Sequence, residues 1–120
     1  MTEHDVDKIA DCPVMLTIGV IGGKWKPRIL WLLRSGPMRF SDFTRAIPDA
    51  SEKMLAQHLK ALESEWIIIR RQFLDGAVVG AEYSYSDYGR TLIPALDALG
   101  DWGLRHHRLS TGAERRAAPD

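Results

Sequence analysis

The sequence predicts a mainly α domain of the α+β class, and three observations carry that prediction. Residues 36–66 read as two helices joined by a short turn. Directly after Trp66 the apolar period changes from that of a helix to that of a strand. The scale also fits, because 120 residues, 45% apolar and 27% charged, make one globular domain with a proper core.

Taken in order, residues 1–11 (MTEHDVDKIAD) read as a flexible acidic arm with none of the marks of a signal peptide. Pro13 suits the first position of a helix, where its missing N–H costs nothing. The helix it opens carries Val14, Ile18 and Ile21 on one face and Leu16 and Val20 elsewhere, and Gly22-Gly23 end it. A helix apolar on two sides has to be covered on two sides. In KWKPRILWLLRSG, residues Trp25, Ile29, Leu32 and Leu33 make a core stripe with Leu30 and Trp31 beside it. Pro27 falls in the first turn of that helix, where it is tolerated, and Lys24, Lys26, Arg28 and Arg34 stay wet.

Gly36-Pro37 breaks the chain before the helix pair. Ser41 is the expected cap of a short helix that carries Phe43 and Ile47 and stops near Pro48. Ser51 caps the next helix, which runs about 22 Å to Trp66 with Leu55, Leu59, Leu62 and Trp66 as its core stripe. IIIRRQF then reads as a strand, DGAVVG as a glycine-bounded loop and AEYSYS as the returning strand. Ser86 caps a last helix, DYGRTLIPALDALGDWGLRHHRL, with Leu92, Leu96, Leu99 and Gly103 on one stripe and a kink expected at Pro94. Residues 108–120 read as a disordered tail.

A hairpin placed after the second helix of such a pair makes a winged helix-turn-helix with a two-stranded β wing, spanning residues 12–107. The first and last helices carry more apolar surface than one small chain can cover. They are the expected dimerisation helices, with Val14, Leu16, Val20, Ile93, Trp102 and Leu104 at the interface.

The outer face of the helix from Ser51 carries Lys53, Gln57, Lys60 and Ser64, flanked by Met54, Ala56 and Ala61, with no acid among them. Such a face can lie in a DNA major groove, although most Lys/Gln stripes are simply solvated. Net charge is zero, but residues 23–71 hold ten Lys/Arg against five Asp/Glu, so the positive charge gathers around the helix pair. A phosphate backbone requires that footprint. Arg70 and Arg71 on the first strand are placed to reach phosphates from the wing, the bland reading being a hairpin with exposed arginines.

The order Cys12-Pro13-Val14, Gly22-Gly23-Lys24-Trp25, Gly36-Pro37-Met38-Arg39-Phe40, Ser51-Glu52-Lys53-Met54-Leu55, Glu82-Tyr83-Ser84-Tyr85 and Leu92-Ile93-Pro94 resembles the HxlR-type winged helix-turn-helix regulators of bacteria and archaea. The resemblance covers nearly the whole folded chain. It implies a homodimeric, sequence-specific DNA-binding transcriptional regulator acting on an inverted-repeat operator, with the dimer built from the first and last helices. It also implies that Ser51, Lys53 and Gln57 lie at the DNA. Around them the candidate DNA-binding set is Lys24, Lys26, Arg39, Met54, His58, Lys60, Arg70 and Arg71. The chain departs from the pattern in its wing, where Gly76-Ala77-Val78-Val79-Gly80 stands in place of a proline-bearing loop, and at His58.

Cys12 precedes a helix N-terminus, a position that favours the thiolate. In several members of the resembled family a cysteine here senses oxidants or electrophiles, which makes such an effector an expected partner; the plain alternative is packing. Cys12 is the one cysteine, so any disulfide would join two chains or take a small thiol. The compartment reads as cytoplasmic, with no membrane span. His4, His58, His106 and His107 have no zinc-ligand spacing, and no metal, cofactor or enzyme activity is expected. The competing function is a winged-helix module that binds only protein.

Overall fold

The computed structural model describes residues 12–112; the expected arm over 1–11 and the tail beyond 112 lie outside the described residues. In chain order the elements are α1 (Pro13–Ile21), α2 (Lys26–Leu33), β1 (Met38–Arg39), α3 (Phe40–Ala46), α4 (Glu52–Ser64), β2 (Ile68–Asp75), β3 (Val78–Tyr85), a 3-10 turn (Gly89–Leu92) and α5 (Ile93–Ser110). Helix α5 therefore includes residues 108–110 of the expected tail.

The core is where the helix stripes meet the base of the sheet. Ile29, Leu30 and Leu33 of α2, Phe43 of α3 and Ile47 at its C-cap, and Leu55, Leu59 and Leu62 of α4 are almost wholly buried. Ile68, Tyr83 and Tyr85 close the core from the sheet, and the Phe43 and Tyr83 rings meet edge to face at 6.2 Å. Helix α2 tightens at its end, with the Arg34 N–H on the Trp31 carbonyl at 3.3 Å. The buried Tyr85 hydroxyl donates to the carbonyl of Leu30. Burial also pushes the Tyr85 phenol above its ordinary value.

Several sequence expectations are corrected here. The sheet has three strands in the order β1-β3-β2, because Met38–Arg39 pairs antiparallel with Tyr83 and Glu82. A two-residue strand leaves too short a pattern for period to reveal. The loop over 75–80 shrinks to Gly76-Ala77, and Val78, Val79 and Gly80 belong to β3. Gly76 has φ +65°, as the first central residue of a II′ hairpin turn requires. Helix α3 starts at Phe40, before the expected cap Ser41, and the Asp42 carboxylate accepts from the Arg39 N–H at 2.8 Å. Pro94 makes no kink; it sits in the first turn of α5, where the 3-10 turn has already taken up the change of direction.

Trp66 is the largest correction. Expected in the α4 core stripe, it is 75% exposed with φ +61°. The Ile67 N–H reaches back to the Leu62 carbonyl at 3.0 Å and the Trp66 N–H to Glu63 at 3.0 Å. That is a Schellman end with a tryptophan where glycine is usual. The helix therefore stops at Ser64, two residues short of the stripe's fourth member.

On the other side of the core, α1 buries Ile21, half-buries Leu16 and Val20, and leaves Val14 and Ile18 exposed. Of the two apolar faces read from the sequence, the one carrying Leu16 and Val20 is thus the more covered within the protomer. In α5, Leu96 is buried while Leu99 is exposed. Arg34 ties α2 to α5 through Asp97 at 3.1 Å, its guanidinium 3.4 Å from the centre of the Trp31 ring.

Candidate nucleic-acid interface

The second helix of the pair, α4, is held to the core by one residue per turn, which fixes what its other side presents. Ser51 accepts from the Met54 N–H at 3.1 Å and so begins the helix cleanly. Lys53, Met54, Gln57 and Lys60 are exposed, Ser51 stands exposed at the cap, and His58 is half-buried at the helix edge. Burial lowers the His58 imidazole below its ordinary value of 6.5, and the nearby charge of Lys26 lowers it further. The start of α2 thus lies near the middle of α4. Lys24 lies over the Trp25 ring at 4.8 Å, and Arg28 donates to the Ala46 carbonyl at 3.4 Å, closing the end of α3.

In the wing, strand alternation separates residues that the sequence set side by side. Ile68, Arg70, Gln72 and Leu74 pair across the ladder with Tyr85, Tyr83, Ala81 and Val79. Because Ile68, Tyr83 and Tyr85 are core residues, this is the face that continues outward from the core under α4. Ile69, Arg71, Phe73 and Asp75 occupy the opposite face. There Arg71 reaches Glu82 at 3.3 Å, while Arg39 stacks on Phe73 at 3.9 Å and approaches Asp75 at 4.0 Å. Gly80 makes room for that stack, since a Cβ there would stand 2.4 Å from Phe73 Cζ. Of the three wing-side arginines, Arg70 shares a face with α4, whereas Arg39 and Arg71 are engaged behind it.

Residues 20–110 match the HxlR-like helix-turn-helix family. The chain belongs to that family. Its HxlR-like fold is a winged helix, and its class is DNA-binding transcription regulation. YdeP of Bacillus subtilis, an HTH-type transcriptional regulator, is 35% identical over 104 residues, 87% of this chain and 80% of YdeP. The redox regulator HypR in its reduced form superposes with a TM-score of 0.77 at 33% identity, over 83% of this chain and 98% of HypR. Reduced YodB, a transcriptional regulator of B. subtilis, does so at 0.65 and 34%, over 76% and 89%.

The other expected positions of this HxlR-like chain are dispersed. Cys12 is exposed at the start of α1 with an extended backbone, φ −145°. Val14, Trp102 and Leu104 are exposed, while Leu16, Val20 and Ile93 are half-buried within the protomer. Met15, Ile18 and Leu99 are also exposed large apolar residues that sequence reasoning did not single out for an interface. Ile18 and Leu99 line an apolar groove of about 600 Å³ with Ile21, Trp31, Leu32 and Leu96, between α1, α2 and α5. Among the described residues no helix is long and apolar enough to cross a membrane.

Proposed function

We propose that the protein acts in the cytoplasm as a homodimer on an inverted-repeat operator, with α4 of each protomer in the major groove of one half-site. The exposed face of α4 carries this reading. From the Ser51 cap it offers Lys53, Gln57 and Lys60 with no acid between them, on a helix fixed at every turn. Gln57 has the donor and acceptor pair that matches adenine, and Lys53 reaches a guanine edge or the adjoining phosphate. Lys24 and Lys26 add positive charge beside the helix. Arg70 takes a phosphate from the wing, and Arg39 and Arg71 hold the wing's far side. The dimer rests on exposed Val14, Met15 and Ile18 of α1 and Leu99, Trp102 and Leu104 of α5, apolar surface that a second copy would cover.

Cys12 is the proposed input. In a dimer, two Cys12 thiols would give two electrons and two protons to an oxidant as a disulfide forms between chains. An electrophile would instead add to the thiolate. The likeness to the redox regulator HypR supports this role, as does the cysteine's exposure.

Sedimentation at micromolar concentration tests the dimer, and selection from random duplexes followed by footprinting tests the operator. Two protected half-sites one helical turn apart, about 34 Å, are expected. A stable monomer, or a selected sequence without an inverted repeat, overturns the reading. For Cys12, diamide is expected to alter DNA binding of the unaltered protein and to leave Cys12→Ser indifferent; equal responses remove the thiol from the mechanism.

A further inference from the structure

A cleft of about 410 Å³ lies at the base of the wing, against the sheet face opposite the one that continues under α4. Its sheet wall is made by the cross-strand partners Ile69 and Ser84 and by the Arg71–Glu82 pair. Leu33 and Arg34 close it from the end of α2, and Arg90 and Ile93 from the turn into α5. Three arginines and one acid thus line it. Arg71 is paired with Glu82 at 3.3 Å, and Arg34 with Asp97 at 3.1 Å. Arg90 is exposed, and among the described residues neither its side chain nor the Ser84 hydroxyl has a partner. Arg34 also keeps its Nε sealed from solvent without an acceptor. The cleft is left with one uncompensated positive charge and spare donors beside an apolar wall, in which Ile69 is 49% exposed.

From this we infer that the cleft is an effector site for a small monocarboxylate with an apolar body. The carboxylate takes two parallel bonds from the Arg90 guanidinium and a third from the Ser84 hydroxyl. The body lies against Leu33, Ile69 and Ile93. One free cation matches one negative charge, and Glu82 in the wall opposes a dianion such as phosphate. The volume is of the size small-molecule sites have, about 300–1,000 Å³. None of the residues given above to the DNA face of α4 lines the cleft, nor do the exposed apolar residues on which the dimer rests. Ile93, expected at the dimer contact from the sequence, is half-buried and forms part of this wall. The cleft also joins the two working parts of the fold. Ile69, Arg71 and Ser84 belong to the hairpin, Arg90 leads into α5, and Arg34 is tied to α5 through Asp97. A ligand held between them favours the arrangement of hairpin and α5 that closes best on it, and so shifts DNA affinity. Binding of the carboxylate is independent of the DNA reading above; its effect on DNA rests on that reading.

The test uses the full-length protein, with benzoate as the probe in calorimetric titrations at constant ionic strength. Benzoate is expected to bind saturably, one per protomer, and acetate, inorganic phosphate and the neutral benzamide each at least about tenfold more weakly. Arg90→Gln should weaken benzoate about tenfold or more, and Arg90→Lys less. Ile69→Glu, which sets a second acid in the apolar wall, should abolish binding. Arg90 and Ile69 are exposed, and unchanged thermal melting of each variant verifies the fold. With a duplex selected from a random library, saturating benzoate should change the affinity of the unaltered protein about fivefold or more and leave that of Arg90→Gln unchanged. By linkage, the duplex must change benzoate affinity by the same factor. No saturable binding up to about 10 mM, equal binding of phosphate or benzamide, or full binding by Arg90→Gln overturns the site. Binding of benzoate without any change in DNA affinity overturns the effector role. If no duplex is enriched at all while benzoate still binds through Arg90, the DNA reading falls and the carboxylate site stands.

Discussion

Helix α4 is anchored along its whole length, whereas the wing is anchored at one end. Leu55, Leu59 and Leu62 bury every turn of α4, so its outer residues have fixed positions relative to the core. Beyond Ile68 and Tyr83 the core reaches only as far as Ala81, and the wing is stiffened by its ladder, the Arg39–Phe73 stack and the Arg39–Asp75 and Arg71–Glu82 pairs. A rigidly held helix can align hydrogen bonds with base edges, which is geometrically demanding. A cantilevered hairpin suits contacts that tolerate displacement, such as a phosphate or a groove wall.

The difference is largest in stability. Leu59→Ala should destabilise the fold by about 2–5 kcal/mol, since it empties a fully buried site at the contact of α4 with the core. Leu74→Ala, an equal loss of carbons from the wing tip, should stay within about 0.5 kcal/mol. Urea denaturation of both variants measures this. Equal losses would mean that the wing tip is covered in solution and that the contrast between the two elements is mistaken.

In DNA binding the contrast should take the form of specificity against salt. Gln57→Ala is expected to cost about 1–3 kcal/mol at one symmetric pair of operator positions and to relax base choice there. Arg70→Ala should weaken all sequences alike and lower the salt slope by about one per monomer. Arg71→Ala should do less than Arg70→Ala, because Arg71 lies on the other face and is paired with Glu82. Titrations against single-base operator changes at two salt concentrations separate the three. Base choice altered by Arg71→Ala and untouched by Gln57→Ala would make the wing the reader.

What was legible in the sequence follows the same division. The α4 stripe, the Ser51 cap and the Phe43–Ile47 pair are periodic signals with a local cause, and the structure has them. The end of α4 was not legible, because Trp66 keeps the apolar spacing while its backbone has left the helix. Strand β1 is too short for a pattern and exists only by pairing with β3. Glycines around Val78-Val79 signal a loop, yet Gly80 serves to seat the Phe73 ring. On α1, which of two apolar faces turns inward is decided by α2 and α5, so Leu16 and Val20 could not be told from Val14 and Ile18. The separation of Arg70 from Arg71 was available from alternation once the strand was recognised.

Trp66 is the joint between the two elements, and its substitution isolates the joint's cost. A non-glycine residue in the left-handed region costs about 1–2 kcal/mol, and this indole, at 75% exposure, recovers little by packing. Glycine gives back part of the gain through the entropy of the unfolded chain. Trp66→Gly should therefore stabilise the protein by up to about 1 kcal/mol without changing the salt slope of DNA binding. A loss of stability would show that the indole is covered in solution. A changed slope would show that the joint sets the angle of the wing.

The smallest expected effect concerns His58, at the edge of α4. Burial and the charge of Lys26 hold its imidazole below the ordinary value of 6.5, so it is neutral at pH 7. A histidine whose folded value is depressed contributes stability above its unfolded value and loses it as pH falls through the depressed one. Acidification from 6.5 downward should therefore cost a little stability through this residue. DNA binding should respond in the opposite sense. Phosphates brought to α4 oppose the effect of Lys26 and raise the imidazole's value in the complex. Binding then takes up protons, and affinity rises a few-fold as pH falls from the value in the complex to the lower value in the free protein. His58→Gln should remove this slope while leaving the affinity at pH 8 nearly unchanged. Titrations of both proteins from pH 8 to pH 5.5 at constant ionic strength make the comparison. The same slope in both would place the proton uptake on another group and take His58 out of the electrostatics of the DNA face.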